Sequence, residues 1–269
     1  VDFVPHTDED FATMLDAIGV ASFDELLCNI PAELRRFELR LPAGMPEQAL
    51  REYMLELSRR NACVMTHQSY LGGGAYDHFI PVVVNALASR PEFVTSYTPY
   101  QAEASQGNLQ AMFEYQTAMC ELTGLAISNS SLYDGASAVA EGAIAALNVT
   151  RGRRRIVVSR AVHPDYRTVL KTYMRGLGVE VVEAMFTRNG QTDLAALTKA
   201  VDDTAAAVIV QSPNFFGCIE PMAEAAEAAH AAGALFVAVV NPLSLGVLAP
   251  PGEYGADIAV GEGQPLGIP

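Results

Sequence analysis

The chain has 269 residues, half of them hydrophobic, with 31 acidic side chains against 17 lysines and arginines. That length and apolar content suit a folded domain with a sizeable core and exclude a disordered or low-complexity chain. A formal charge of −14 argues against nucleic acid as a partner, because affinity for a phosphate backbone comes from lysine and arginine displacing counterions.

The first sixty residues read as helices. Thr7 with Asp10 and Ser22 with Glu25 each set a hydroxyl three residues before an acid, and Pro46 precedes a helical run at Leu50, Met54 and Leu57. These segments are too short to enclose a core of their own. Residues 1–60 are therefore expected to form a docked helical arm, and residues 61–269 an α/β domain. Gly72, Gly73 and Gly74 follow Ser69-Tyr70-Leu71 without the strand-then-helix order of a dinucleotide fingerprint, which points to a flexible turn near the entrance of a site.

An aromatic and polar loop, Ser96-Tyr97-Thr98-Pro99-Tyr100-Gln101, then feeds a helix. Its apolar residues Leu109, Met112, Phe113, Met119 and Leu122 recur at three- and four-residue spacing, so the stripe is expected to face the core, with Gly124 as a left-handed cap. A second helix is expected to start near residues 131–134, where Ser131 and Asp134 have capping-box spacing, and to run through Gly135, Ala136 and Ser137 toward Leu147. Small side chains there leave backbone N–H groups approachable, and the partial positive charge of a helix start favours an anion such as phosphate. Close packing of an Ala-rich helix is the plainer reading of the same residues, since small side chains serve helix packing more often than ligands. Arg151, Arg153, Arg154 and Arg155 lie in the turn before a strand, with solvent, interface and ligand roles all open.

From Arg155 onward the pattern alternates. Residues 156–159, 179–182, 207–211, 235–240 and 257–260 are short and rich in valine and isoleucine, separated by helical stretches at 166–175, 194–201 and 222–231. Apolar strands joined by helices predict a parallel sheet covered on both faces, with ligands beyond the carboxyl ends of the strands. Those ends carry Ser159 to Pro164, Ser212-Pro213-Asn214, Asn241-Pro242 and Gly261-Glu262-Gly263-Gln264.

Cys28, Cys63, Cys120 and Cys218 form no C-x-x-C pair and fall in apolar or helical surroundings, so they read as reduced, mostly buried thiols. His67 with His78, His163 with Asp165, and the isolated His6 and His230 have no adjacent ligand set, and no metal is expected. No charged-then-apolar leader opens the sequence, and the longest apolar run, residues 234–240, has the length of a strand. The expectation is a cytoplasmic protein without a membrane partner, in which the sequon Asn148-Val149-Thr150 is accidental.

The motifs Thr98-Pro99-Tyr100-Gln101-Ala102-Glu103-Ala104-Ser105-Gln106-Gly107, Phe113-Glu114-Tyr115-Gln116-Thr117, Leu122-Thr123-Gly124-Leu125 and Asn129-Ser130-Ser131-Leu132-Tyr133-Asp134-Gly135 carry a resemblance. They resemble the P-protein family of the glycine cleavage system, and within it the alpha subunit (subunit 1) of the two-subunit glycine dehydrogenase (decarboxylating). The likeness runs from the helical arm to Gly261-Glu262-Gly263-Gln264-Pro265-Leu266-Gly267. It implies a type I pyridoxal-phosphate-dependent transferase-like large domain with a mostly parallel sheet and a helical N-terminal arm that helps hold subunits together. A smaller C-terminal domain is expected beyond residue 269.

Catalysis in that fold needs a lysine to hold the cofactor as an imine and a carboxylate to keep the pyridine nitrogen protonated. Only Lys171 and Lys199 occur here, both in predicted helices away from strand ends. Against the family pattern, Asn241 stands where the aspartate belongs and Gln264 where the lysine belongs. The resemblance thus implies no catalytic residue on this chain and a beta subunit that carries pyridoxal phosphate. It also implies a heterotetrameric complex that decarboxylates glycine and passes the aminomethyl group to the lipoyl arm of H-protein. Thr98, Tyr100 and Gln101 become candidates to line the substrate channel, and Gly135, Ala136 and Ser137 candidates for a vestigial phosphate site. His163, after a strand end, takes a structural or vestigial role. Two rival readings are an independent pyridoxal-phosphate enzyme of desulfurase or aminotransferase class, with its lysine beyond Pro269, and a purely structural paralogue.

Overall fold

The computed structural model describes residues 5–35, 41–95 and 101–268. The chain divides into two units, Val1–Ala62 and Cys63–Pro269.

The first unit holds helices α1 (Asp8–Ile18), α2 (Phe23–Leu26), α3 (Ala32–Arg35) and α4 (Glu47–Arg59). At α1 the capping box forms as expected: Thr7 Oγ1 accepts the N–H of Asp10, and the Asp10 carboxylate accepts the N–H of Thr7 at 2.8 Å. Those bonds hold the Asp10 carboxyl below its ordinary range. The second expected box does not form. Ser22 makes no side-chain cap, because α2 is a single turn in which Glu25 reaches past it to accept the N–H of Ala21 at 3.0 Å. None of the four helices buries a residue, as short segments without their own core would not.

The second unit opens with α5 (Val82–Ala88), α6 (Pro91–Val94), α7 (Ala102–Thr123) and α8 (Gly135–Val149). It continues as β1 (Arg155–Ser159), α9 (Pro164–Leu177), β2 (Glu180–Ala184), α10 (Leu194–Ala200), β3 (Ala205–Ser212), α11 (Met222–Ala231), β4 (Leu235–Val240) and β5 (Ile258–Gly261). Short 3-10 turns, Pro242–Gly246 and Gln264–Leu266, follow β4 and β5. The five strands form one sheet in the order β2-β1-β3-β4-β5, and every pairing is parallel.

Strand alternation sorts the core onto two faces. Ile156, Val158, Ile209, Val237 and Val239 pack under Val139, Ala143 and Ala146 of α8 and Leu170 and Met174 of α9. Val157, Val208, Val210, Phe236 and Ala238 face Leu197 of α10 and Met222, Ala225 and Ala229 of α11. All eight residues of β3 are buried, which explains why it reads as a continuous apolar run rather than an alternating one. The α/β fold with helices on both faces of a parallel sheet is thus as the sequence predicts.

Three further expectations need correction. The α7 stripe does not face a core: Leu109, Met112, Met119 and Leu122 are half-buried and Phe113 is 66% exposed, because α7 packs on the turn Pro242–Gly246 rather than across the sheet. The cap of α8 is Asp134, not Ser131. Its Oδ1 accepts the N–H of Ser137 at 2.6 Å, while Ser131 sits at φ 107, outside helical space. The thiols are not mostly buried: Cys28 and Cys63 are exposed, and Cys120 and Cys218 are half-buried. Cys28 and Cys63 lie in turns beside helices that bury nothing, so apolar neighbours in sequence supply no cover in space.

Candidate functional site

In the order 2-1-3-4-5 the chain leaves the sheet in opposite directions from β1 and β3, and the carboxyl ends of those strands form the natural crevice. The residues after β1, β3, β4 and β5 meet there, together with the start of α8 and the segment 72–78. The floor is a buried polar network. Ser159 Oγ lies 2.7 Å from Thr192 Oγ1, the N–H of Thr192 donates to both oxygens of Glu220, and Asn214 Nδ2 donates to Glu220 at 2.6 Å. Among the described residues the partners of this buried carboxylate are N–H donors.

His163 connects this floor to the glycine-rich turn. Its N–H donates to the buried Gln211 side chain at 2.8 Å. Nδ1 accepts the N–H of Asp165 at 3.1 Å, which caps α9, so the ring proton sits on Nε2 and is donated to Gly73 O at 2.8 Å. One face of the ring stacks on Tyr166, centroids 4.7 Å apart, and Phe215 meets its edge at 5.0 Å. Gly72, Gly73 and Gly74 all hold positive φ, and the turn is tied down through Gly73 rather than loose.

The start of α8 is occupied by the chain itself. Gly135 N–H donates to Glu262 Oε2 at 2.9 Å across 127 residues, and Ser137 N–H to Asp134. A Cβ on Gly135 would lie 2.8 Å from Cζ of Tyr166, so only glycine admits the phenol here. Burial pushes the Tyr166 hydroxyl well up, with the charges of Glu262 and Asp134 acting in the same direction, and burial with Glu262 also raises Tyr76. Gly135 and Ser137 therefore stand among two carboxylates and two protonated phenols, with Ala136 between them.

The positions expected to hold a lysine and an aspartate carry amides in closed local networks. Gln264 Oε1 accepts the N–H of Tyr76 at 3.1 Å, and its Nε2 donates to Tyr76 O at 3.2 Å and Ile268 O at 3.0 Å. The side chain thus pairs with the Tyr76 backbone as a neighbouring strand would. That same carbonyl also lies 2.8 Å from His78 Nδ1, and His78 Nε2 is buried without a partner among the described residues. Asn241 Oδ1 accepts the N–H of Leu243 at 3.0 Å and caps the 3-10 turn Pro242–Gly246. Lys171 pairs with Glu183 at 2.8 Å beside Arg167. Burial raises the Glu183 carboxyl, but hydrogen bonds from Lys171 and Arg167 outweigh it and hold the group below its ordinary range. Lys199 is exposed in the last turn of α10. Among the described residues the strand ends carry Asn241 and Gln264 rather than a carboxylate and a lysine, and Glu262 takes the N–H of Gly135, a set that does not fit pyridoxal phosphate.

Gln101 caps the start of α7 without a side-chain bond and lines a cleft of about 800 Å3 together with Leu87, Arg90, Phe93, Ser105 and Asn108. At its edge Arg90 holds Glu92 in a two-pronged pair, which lowers that carboxyl to about 2. Thr98 and Tyr100 lie outside the described residues. The arginine cluster sits at the opposite, amino-terminal edge of the sheet. Arg153 donates to Ala205 O and Ala232 O, Arg154 to Leu177 O, and Arg155 pairs with Glu180 and Asp202. Among the described residues no group of three or more His, Cys, Asp or Glu side chains could hold a metal, and no helix is long and apolar enough to cross a membrane.

From the sequence, Glu262 stands out only as part of the strand-end segment 261–264 and His78 only as a histidine without a ligand set, while Tyr76 and Tyr166 carry no site role. Only Glu262 gave a signal, a lone carboxylate between two glycines directly after a strand.

The family model of the glycine cleavage system P-protein matches residues 1–269. The chain is 53% identical over 268 residues to a probable glycine dehydrogenase (decarboxylating) subunit 1 of Moorella thermoacetica, covering 99% of this chain and 59% of that protein. It is 50% identical over 268 residues to the protein of the same description from Anoxybacillus flavithermus, with the same coverage. A crystal structure of an inhibitor-bound glycine decarboxylase (P-protein) of the glycine cleavage system superposes with a TM-score of 0.85 at 49% identity, over all of this chain and 60% of that one. The chain thus spans about three-fifths of the length of these relatives.

Proposed function

Because the chain belongs to the glycine cleavage system P-protein family, we propose that it is the subunit of a two-subunit glycine decarboxylase that bears no cofactor. The partner beta subunit holds pyridoxal phosphate, and the assembly decarboxylates glycine and hands the aminomethyl group to the lipoyl arm of H-protein in the cytoplasm. This chain supplies interface and channel. Thr98, Tyr100 and Gln101 orient glycine or the lipoyl arm, Gln101 from the rim of the cleft it lines.

The observation that carries the reading is Gln264. Its acceptor and both donors are spent on Tyr76 and Ile268 at the place where the family resemblance puts a cofactor lysine. A carboxamide forms no imine with the cofactor's carbonyl, and both of this one's N–H donors are already committed. The relatives named subunit 1 support a partner subunit in the same way.

The test is glycine-dependent carbon dioxide release by the full-length chain with pyridoxal phosphate, alone and with its beta subunit and lipoylated H-protein. Release only from the complete mixture is expected. Release from this chain alone would favour the independent-enzyme reading. Unchanged turnover after Gln101→Ala, with assembly intact, would remove Gln101 from the channel.

A further inference from the structure

The carboxylate at the start of α8 is delivered there by a rigid path. Gly261 ends β5 opposite Val240 of β4, so close that a Cβ would fall inside 3.0 Å of the Val240 carbonyl oxygen. This fixes where the next residue points. Glu262 then accepts the N–H of Gly135 at 2.9 Å, and two residues later Gln264 locks the following turn to Tyr76. Asp134 takes the N–H of Ser137, and the Tyr166 ring closes over Gly135.

We infer that Glu262 is a built-in anion, whose carboxylate occupies the position at the start of α8 that an exogenous phosphate would take, so that this chain excludes phosphate-bearing ligands. Two effects act together. The N–H group a phosphate would need is already bonded, and the approaching charge meets Glu262, half-buried where screening by solvent is reduced, with the exposed Asp134 adding a weaker, screened repulsion. The helix start keeps an anion, as its dipole favours, but one that belongs to the chain. The inference deepens the reading that the cofactor is held by the partner, and it turns on Glu262 rather than on the absence of a lysine.

The test reads amide exchange at α8 rather than turnover, so its failure is distinct from failure of the proposed activity. In the full-length chain within its assembly, deuterium uptake of the peptide covering residues 131–141 is followed while inorganic phosphate is titrated. Wild-type uptake is expected to be indifferent to phosphate. Glu262→Ala is expected to exchange about tenfold faster over the first turn of α8 in phosphate-free buffer, and to regain protection saturably as phosphate is added. Phosphate-dependent protection of equal size in the wild type, or none in a folded Glu262→Ala, overturns the inference. If Glu262→Ala does not fold, Glu262→Gln, which keeps an acceptor and removes the charge, decides. A saturable phosphate response absent from the wild type supports the inference, and no response overturns it.

Discussion

Gln264→Lys is expected to destabilise the chain by about 2–3 kcal/mol and to recruit no cofactor. A lysine can donate to one carbonyl, but it cannot accept the N–H of Tyr76, which Gln264 now meets at 3.1 Å. The Tyr76 N–H is left without an acceptor in a half-buried place, and the bonds to Tyr76 O and Ile268 O cannot both be kept in their present geometry. The Tyr76 carbonyl also steadies the His78 ring, so loosening it disturbs the whole segment 72–78. Added pyridoxal phosphate is expected to give no imine absorbance, because Asn241 still offers an amide and Glu262 still fills the start of α8. Urea denaturation followed by circular dichroism, with an absorbance spectrum of the folded variant, checks both halves. Wild-type stability together with a new cofactor band would show that one lysine suffices and that the surrounding residues are permissive.

Gly261→Ala is expected to cost about 3 kcal/mol, near the upper end for forcing an atom into a packed interior. The added methyl would run into the carbonyl oxygen of Val240 on the neighbouring strand, and a backbone atom cannot swing aside as a side-chain tip can. Relief requires the ends of β4 and β5 to part. Parting them breaks the pairing of Val240 with Gly261 and withdraws Glu262 from Gly135. Thermal unfolding together with amide exchange at β5 and at the first turn of α8 measures this. A large fall in Tm with faster exchange at both places is expected. A fall in Tm that left the α8 amides unchanged would mean that Glu262 does not depend on Gly261 for its position.

The sheet was legible because its physics is local. Val157, Val208 and Val237 lie in short apolar runs bounded by polar turns, and the helix Met222–Ala231 falls where its period predicts. Asn241 and Gln264 read as departures only against the family resemblance, which is what sets a charged group at those positions. What they do instead was not legible. Gln264 meets Tyr76 across 188 residues and Glu262 meets Gly135 across 127, and no periodicity encodes such partners. Phe113 shows the same limit from the other side. Its spacing marks a helix correctly, but spacing does not say whether another element covers that face. At the start of α8 the capping-box spacing put Ser131 at the cap with Asp134 three residues on, but Ser131 holds a positive φ and Asp134 itself caps the helix.

On the proposed function, the cofactor of the assembly is held by the partner and not by this chain. Borohydride reduction of the glycine-decarboxylating complex fixes pyridoxal phosphate to the lysine that holds it, and peptide mapping of the separated full-length subunits locates the mark. A pyridoxyl-lysine is expected on the beta subunit alone, with Lys171 and Lys199 unmodified. A stoichiometric mark on any lysine of this chain would contradict it.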